Sequence, residues 1–154
     1  MTFYPFFINL DFAGFQDEAT PITPVRRVDL GYIGEVDVEV SHFDDWKLVG
    51  DWVRSFQKYG KLVPVGFNLR NLVWPAFTAN LAKAGESIPG MFMPMEKKWS
   101  NLDMVDLQQL IVQGGYSEWK PSLQQACKFF DVQFFPTNPI ASMYDLYKIY
   151  QKVS

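Results

Sequence analysis

The sequence predicts a mixed α/β sheet with helices on its faces. The first half of the chain has the patterns of three strands, a helix and a fourth strand, and the second half is mostly helical. The length of 154 residues and the hydrophobic content of 48% fit a single domain over residues 1–154, with a sizeable core. Charged residues make up 20% of the chain, so intrinsic disorder is not expected.

Three strands are predicted before the first helix. Residues 3–12 and 25–33 are strand-like, the first of them rich in aromatic and β-branched side chains. Residues 36–42 alternate apolar and polar side chains, which is the period of a half-exposed strand. Gly31 and Gly34 lie at the junction of the second and third predicted strands. These two strands are therefore expected to form an antiparallel hairpin.

Helical patterns begin at residue 46, where apolar residues recur at spacings of three and four. Asp44 or Asp45 can cap this helix, and Gly60 follows its end. The later expected elements are a strand over 61–67, a helix from Asn71 to Ala84, a strand from Asn101 to Val105, a helix through Gln113, a helix opened by the capping box of Ser122 and Gln125, and a last helix after Asn138-Pro139.

Charge and composition exclude several classes of protein. A net charge of −3 and a pI of about 5.1 exclude a strongly basic nucleic-acid binder but leave room for a local basic groove. Cys127 is the single cysteine and His42 the single histidine, which excludes an internal disulfide and a cysteine-histidine zinc site. No run approaches about 20 apolar residues and the N-terminal stretch lacks a signal-peptide pattern, so a cytoplasmic location is expected.

The stretch from Asp44 to Val132 contains the strings GFNLRNLVWPAF, SNLDMVDLQQLI and SLQQACKFFDV. In this order the strings resemble the RNase H-like 3′–5′ exonuclease superfamily, the DEDD or DnaQ-like group. The closest resemblance is to predicted exonucleases related to the proofreading domain of family-B DNA polymerases. It implies an RNase H-like mixed sheet with helices on both faces. It also implies phosphodiester hydrolysis at four carboxylates that hold two Mg²⁺ or Mn²⁺ ions.

Two of the family's motifs are matched only in part. The first, D-x-E on the opening strand, is matched by Asp11, but Ala13 stands where the glutamate should be. The second is an aspartate after a G-x-N turn. The turn is present as Gly66-Phe67-Asn68, but Val73 replaces the aspartate. A valine and an alanine cannot hold a metal ion.

The third motif, Y-x-x-x-D or H-x-x-x-D on the last helix, leaves Asp145 as its aspartate and Ala141 at the tyrosine or histidine position. The resemblance therefore implies Asp11 and Asp145 as the remaining catalytic and metal-binding residues, in a degenerate site. A solvated helix residue is the alternative for Asp145. Other acids that could substitute as ligands are Asp17, Glu18, Asp103 and Asp106, the last two also being candidates for helix caps.

Basic and aromatic side chains indicate a nucleic-acid surface near the same cleft. Arg70 lies beside Asn68, which is itself suited to a turn. The other candidates lie in predicted loops, namely Lys97, Lys98, Trp119 and Lys120. Aromatic rings beside cations can stack bases and neutralise phosphate, although such pairs also arise by chance. Cys127 lies on the apolar side of its helix and is expected to be a core thiol.

Three functions remain open from the sequence. The first is a catalytically degenerate exonuclease-like domain that binds single-stranded nucleic acid or serves beside a polymerase or other replication protein. The second is an active 3′–5′ exonuclease that uses Mg²⁺ or Mn²⁺ with rearranged ligands on single-stranded DNA. The third is a structural protein that self-associates through exposed aromatic residues, which the 17% aromatic content permits.

Overall fold

A five-stranded mixed sheet with the strand order β3-β2-β1-β4-β5 organises the protein. The computed structural model describes residues 3–12, 25–35, 37–86, 104–113, 122–132 and 139–153. The strands are β1 (Phe3–Phe12), β2 (Val25–Ile33), β3 (Val38–Phe43), β4 (Lys61–Gly66) and β5 (Val105–Asp106). The predicted mixed sheet and the predicted antiparallel hairpin of the second and third strands are both confirmed.

Helices cover both faces of the sheet, as the sequence predicts. They are α1 (Trp46–Gln57), a π-helical segment (Leu69–Val73) that continues into α2 (Trp74–Lys83), α3 (Leu107–Gln113), α4 (Leu123–Phe129) and α5 (Pro139–Val153). One hydrophobic core lies between the sheet and helices α1 and α2, and includes Phe6, Ile8 and Trp74. A second core lies between the opposite face and helices α3, α4 and α5, and includes Phe7 and Met143. Because side chains alternate along a strand, successive residues of β1 serve the two cores in turn.

Helix ends follow the capping signals of the sequence with one exception. Asp45 rather than Asp44 caps α1, since its carboxylate accepts the N–H of Lys47 at 2.9 Å. Ser122 and Gln125 form the expected capping box at the start of α4. Asn71 does not begin its helix, because the chain already enters the π-helical segment at Leu69 after the left-handed turn at Asn68. None of the described helices is long and apolar enough to cross a membrane.

The strand register places one end of β1 beyond its parallel neighbour. The last pair between β1 and β4 joins Phe7 to Val65, so the residues after Phe7 extend past the end of β4. On the other side β1 stays paired with β2, where Asn9 faces Asp29 and Asp11 faces Arg27. The carboxyl ends of β1 and β4 thus form one edge, which we call the strand-end edge.

Candidate functional site

The turn after β4 lies tightly against β1 at the strand-end edge. A Cβ atom on Gly66 would meet Cδ1 of Leu69 at 3.0 Å and the carbonyl oxygen of Ile8 at 3.3 Å. A larger residue would therefore push the turn away from β1. Asn68 follows with φ 53°, and its carbonyl oxygen accepts the N–H groups of Leu72 and Val73 at 3.2 Å each. Asn68 is thus the turn residue that the sequence predicts.

The side chain of Asn68 has a further property that the turn does not explain. Its Oδ1 atom is buried and has no hydrogen-bond partner in the described part of the chain. Leaving such an acceptor unpaired costs free energy, about 1–3 kcal/mol for a buried polar group. A bound ligand with a donor group could satisfy it, so Asn68 stays a candidate contact.

Asp106 anchors the same region from β5. Its carboxylate accepts the backbone N–H groups of Arg70 and Gln108, both at 3.1 Å, and is also bonded by the backbone of Leu69 and Gln109. Burial raises the pKa of Asp106, while these backbone hydrogen bonds act in the opposite direction. Asp106 therefore ties the π-helical segment to the start of α3, in agreement with the predicted role as a helix cap.

Two other sequence-derived positions are buried beside this anchor. Arg70 is only 9% exposed, so most of its side chain is shielded from a large ligand. Val73 stands where the family carries its second aspartate, and its side chain is 7% exposed and packs in the core beneath α2. An ionised carboxylate at this position would be strongly disfavoured without a cation beside it.

Asp11 lies on β1 at the strand-end edge and is paired within the chain. Its Oδ1 atom lies 3.3 Å from Nη2 of Arg26, and the two side chains are 40% and 65% exposed. A pair this exposed contributes little to stability, on the order of 1 kcal/mol or less. Asp11 can therefore leave Arg26 at low cost, and Arg26 can exchange Asp11 for another anion.

A row of polar side chains that sequence reasoning missed crosses three strands at the same edge. Asp29 on β2 is fully buried and accepts from Nε of Arg27 at 3.0 Å, Nδ1 of His42 at 2.5 Å and Nδ2 of Asn9 at 3.4 Å. We call Asn9, Arg27, Asp29 and His42 the polar row. One signal in the sequence could have revealed it, namely a lone aspartate inside the otherwise apolar stretch of β2.

Asp145, the other expected carboxylate, lies on α5 and is 2% exposed, so the alternative of a solvated helix residue is wrong. It lies close to Cys127 on α4. Burial and the negative charge of Asp145 together raise the pKa of the Cys127 thiol to about 12. Cys127 is fully buried, which confirms the expected core thiol.

The described residues do not fit a centre for two divalent ions. No three histidine, cysteine, aspartate or glutamate side chains within the described ranges come together as a group that could hold a metal. Val73 offers no ligand atom, and Asp11 is bound to Arg26. The remaining positions that the sequence singled out lie outside the described residues, namely Ala13, Asp17, Glu18, Lys97, Lys98, Asp103, Trp119 and Lys120.

Comparison with solved structures identifies proteins of the same fold. One match is a structure of exonuclease I that is said to suggest how processivity is achieved. Its TM-score is 0.67 at 9% identity over 99% of this chain. A product-bound exonuclease I and a complex of exonuclease I with SSB-Ct each match with a TM-score of 0.63 at 8% identity, over 99% and 100% of this chain. Identities this low show the fold alone.

This chain spans less than half of those proteins, since the matches cover 42%, 44% and 42% of their lengths. No family model matches the sequence. No curated protein matches it either. The predicted RNase H-like mixed sheet with helices on both faces is confirmed at the level of fold.

Proposed function

We propose that this chain is an exonuclease-like domain that associates with single-stranded nucleic acid and whose metal site is degenerate. Its role is then to bind single-stranded nucleic acid, or to act beside a polymerase as an accessory module of replication or repair. One observation carries the proposal: the carboxylates at the strand-end edge are neutralised by basic residues of the same chain. Asp11 faces Arg26, and Asp29 faces Arg27 and His42.

Charge at this edge supports binding of a phosphodiester more than binding of two metal ions. Two carboxylates, Asp11 and Asp29, face two guanidinium groups, so their formal charges cancel. A pair of divalent cations needs a surplus of carboxylate charge to replace its water shell. A phosphodiester carries a single negative charge and needs only donors and a cation.

Arg26 is the residue best placed to supply that cation. Its side chain is 65% exposed, and its partner Asp11 is held only by an exposed ion pair. A phosphate group can therefore replace Asp11 as the partner of the Arg26 guanidinium without leaving a buried charge unpaired. Asn68, Lys97, Lys98, Trp119 and Lys120 remain the predicted contacts for the rest of a strand. Arg70, also predicted from the sequence, is a weaker candidate because its side chain is buried.

An active exonuclease with rearranged ligands is the second candidate. The fold favours it, and Asp145 adds a buried carboxylate on the helix that covers the sheet face of Asp11. In that case Asp11 and Asp145 are the catalytic and metal-binding residues, and Mg²⁺ or Mn²⁺ is the cofactor. A self-associating structural protein is the third candidate, favoured by exposed apolar side chains such as Tyr59 and Phe129.

The deciding experiment is a calorimetric titration of Mn²⁺ into the purified protein, with degradation and binding of labelled single-stranded DNA measured on the same sample. We expect no heat of binding and no degradation, but salt-sensitive DNA binding that weakens in Arg26→Ala. Lys128→Ala is the matched control, because it removes an exposed cation from α4, away from the edge. Heat together with degradation that Asp11→Asn abolishes would establish the active exonuclease instead.

A further inference from the structure

A groove with an aromatic wall lies at the end of β1 opposite the strand-end edge. It encloses about 330 Å³ between the start of β1, the end of β2, the second half of α1 and the turn before β4. Six of its nine lining residues are aromatic, namely Tyr4, Phe6, Tyr32, Trp52, Phe56 and Tyr59. We call this feature the aromatic groove. Its volume falls within the range of about 300–1,000 Å³ typical of small-molecule pockets.

The rings form a continuous wall rather than scattered contacts. The centroids of Trp52 and Phe56 are 4.4 Å apart, those of Tyr32 and Phe56 5.0 Å, and those of Phe6 and Trp52 6.2 Å. Tyr59 is 62% exposed at the rim. An exposed aromatic side chain beside a wall of rings offers a flat face to a flat ligand.

Charge around the groove distinguishes between classes of flat ligand. None of the nine lining residues is charged, and Nζ of Lys58 lies 5.1 Å from the ring centroid of Tyr59 at the rim. At the other end Glu39 lies directly opposite Tyr32 in the β2–β3 register. The groove thus has a positive end at Lys58, suited to an anion, and a negative end at Glu39. A cationic ligand would meet the charge of Lys58 beside the exposed ring of Tyr59.

We propose that the aromatic groove binds one nucleotide of a single-stranded nucleic acid, with the base stacked on Tyr59 and the phosphate beside Lys58. The ligand class rests on the proposed function, but the groove is a second contact, separate from the strand-end edge. Tyr4 and Asp11 are seven residues apart on β1, which separates the two regions by on the order of 23 Å. A strand held at both places gains affinity through effective concentration.

The test uses a fluorescent ten-nucleotide deoxyadenosine strand and a strand of the same length that carries no bases. We expect Tyr59→Ala to weaken binding of the adenosine strand about 5- to 150-fold and to leave binding of the abasic strand unchanged. Tyr59→Phe keeps the ring and should keep the affinity, whereas Lys58→Ala should weaken binding of both strands. Phe129→Ala is the matched control, since it removes an exposed ring from α4.

The possible results separate the groove from the proposed function. If the adenosine strand binds and Tyr59→Ala behaves like Phe129→Ala, the groove is not a nucleotide site although nucleic-acid association stands. If neither strand binds, deoxyadenosine monophosphate is titrated at millimolar concentration. Tryptophan quenching that Tyr59→Ala removes would support the groove without the proposed function, and no quenching would overturn both. Dimers in sedimentation that Tyr59→Ala dissociates would assign the groove to a second copy of the chain instead.

Discussion

The two ends of β1 carry different kinds of side chain at the protein surface. At the strand-end edge the charged side chains are paired with one another, so that Asp29 and Asp11 both face arginines. At the aromatic groove the rings of Tyr59 and Tyr4 stay exposed beside a wall of further rings. The polar row of the first region satisfies its own polar groups, whereas the second region leaves apolar surface uncovered.

This difference distinguishes residues that stabilise the fold from residues that are available to bind a ligand. Buried groups that are satisfied within the chain, such as Asp29 in the polar row, stabilise the fold and have little left to offer a ligand. The exposed pair of Arg26 with Asp11 at the same edge differs, because Arg26 can exchange Asp11 for a phosphate at low cost. Groups that remain exposed add little to stability, but they can gain contacts when a ligand arrives. We therefore expect substitutions in the polar row to act mainly on folding, and substitutions at the groove rim to act mainly on binding.

The largest effect is expected from Asp29→Ala. This change removes the buried carboxylate that holds Arg27 and His42. The two partners are 30% and 35% exposed and can be hydrated afterwards, so the cost is that of the lost hydrogen bonds to a charged group, about 3–4 kcal/mol in all. Urea denaturation would measure the loss in the free energy of unfolding. Asp51→Ala is the control, because its ion pair with Arg54 on α1 is exposed and its loss should cost far less. Equal costs for both variants would show that the polar row is not a stabilising feature.

The next effect is expected from Val73→Asp, which restores the carboxylate of the family's second motif. The side chain is buried in the core beneath α2, so the charge should lower the free energy of unfolding by about 3 kcal/mol. Val73→Thr controls for the change in polarity at nearly constant shape. We expect Mn²⁺ to restore little of the loss, since no three histidine, cysteine, aspartate or glutamate side chains of the described residues are grouped to hold a metal. Recovery of most of the stability with Mn²⁺ would indicate a working metal site.

A smaller, pH-dependent effect is expected at Asp106. Burial raises its pKa in the folded state, so between the unfolded-state pKa and this raised value the folded chain holds more protons. The contribution of Asp106 to stability is therefore fully present in acid and falls as the pH rises through that window. Compared with Asp106→Asn, the wild-type protein should be relatively most stable below the ordinary aspartate pKa of 3.8 and lose that advantage as the pH rises above it. Urea denaturation at several pH values checks this, and a constant difference would contradict it.

Local patterns predicted the elements, because their causes lie within a few residues. The alternation over residues 36–42 corresponds to β3, and the helical spacing from Trp46 corresponds to α1. The spacing of Ser122 and Gln125 predicted a capping box that the structure confirms. These signals depend on neighbours one to four positions apart, which a sequence displays directly.

The candidate site could be predicted only in part, because its contacts join distant residues. Asn9 and His42 meet Asp29 across 20 and 13 positions, and the strand register alone brings them together. The burial of Asp145 also escaped prediction. The sequence predicted the last helix after Asn138-Pro139, but it did not show that Asp145 on this helix would be buried near Cys127 of α4.

The smallest effect on stability is expected at the groove rim, where Tyr59→Ala should change the free energy of unfolding by no more than about 0.5 kcal/mol. Its ring is already 62% exposed, so truncation removes little buried surface and leaves no polar group unpaired. Trp52→Ala is the contrasting variant, since its ring packs between Phe6 and Phe56 and should cost several times more. If Tyr59→Ala proves as costly as Trp52→Ala, the rim stabilises the fold itself, and the separation between a stabilising polar row and a binding groove fails.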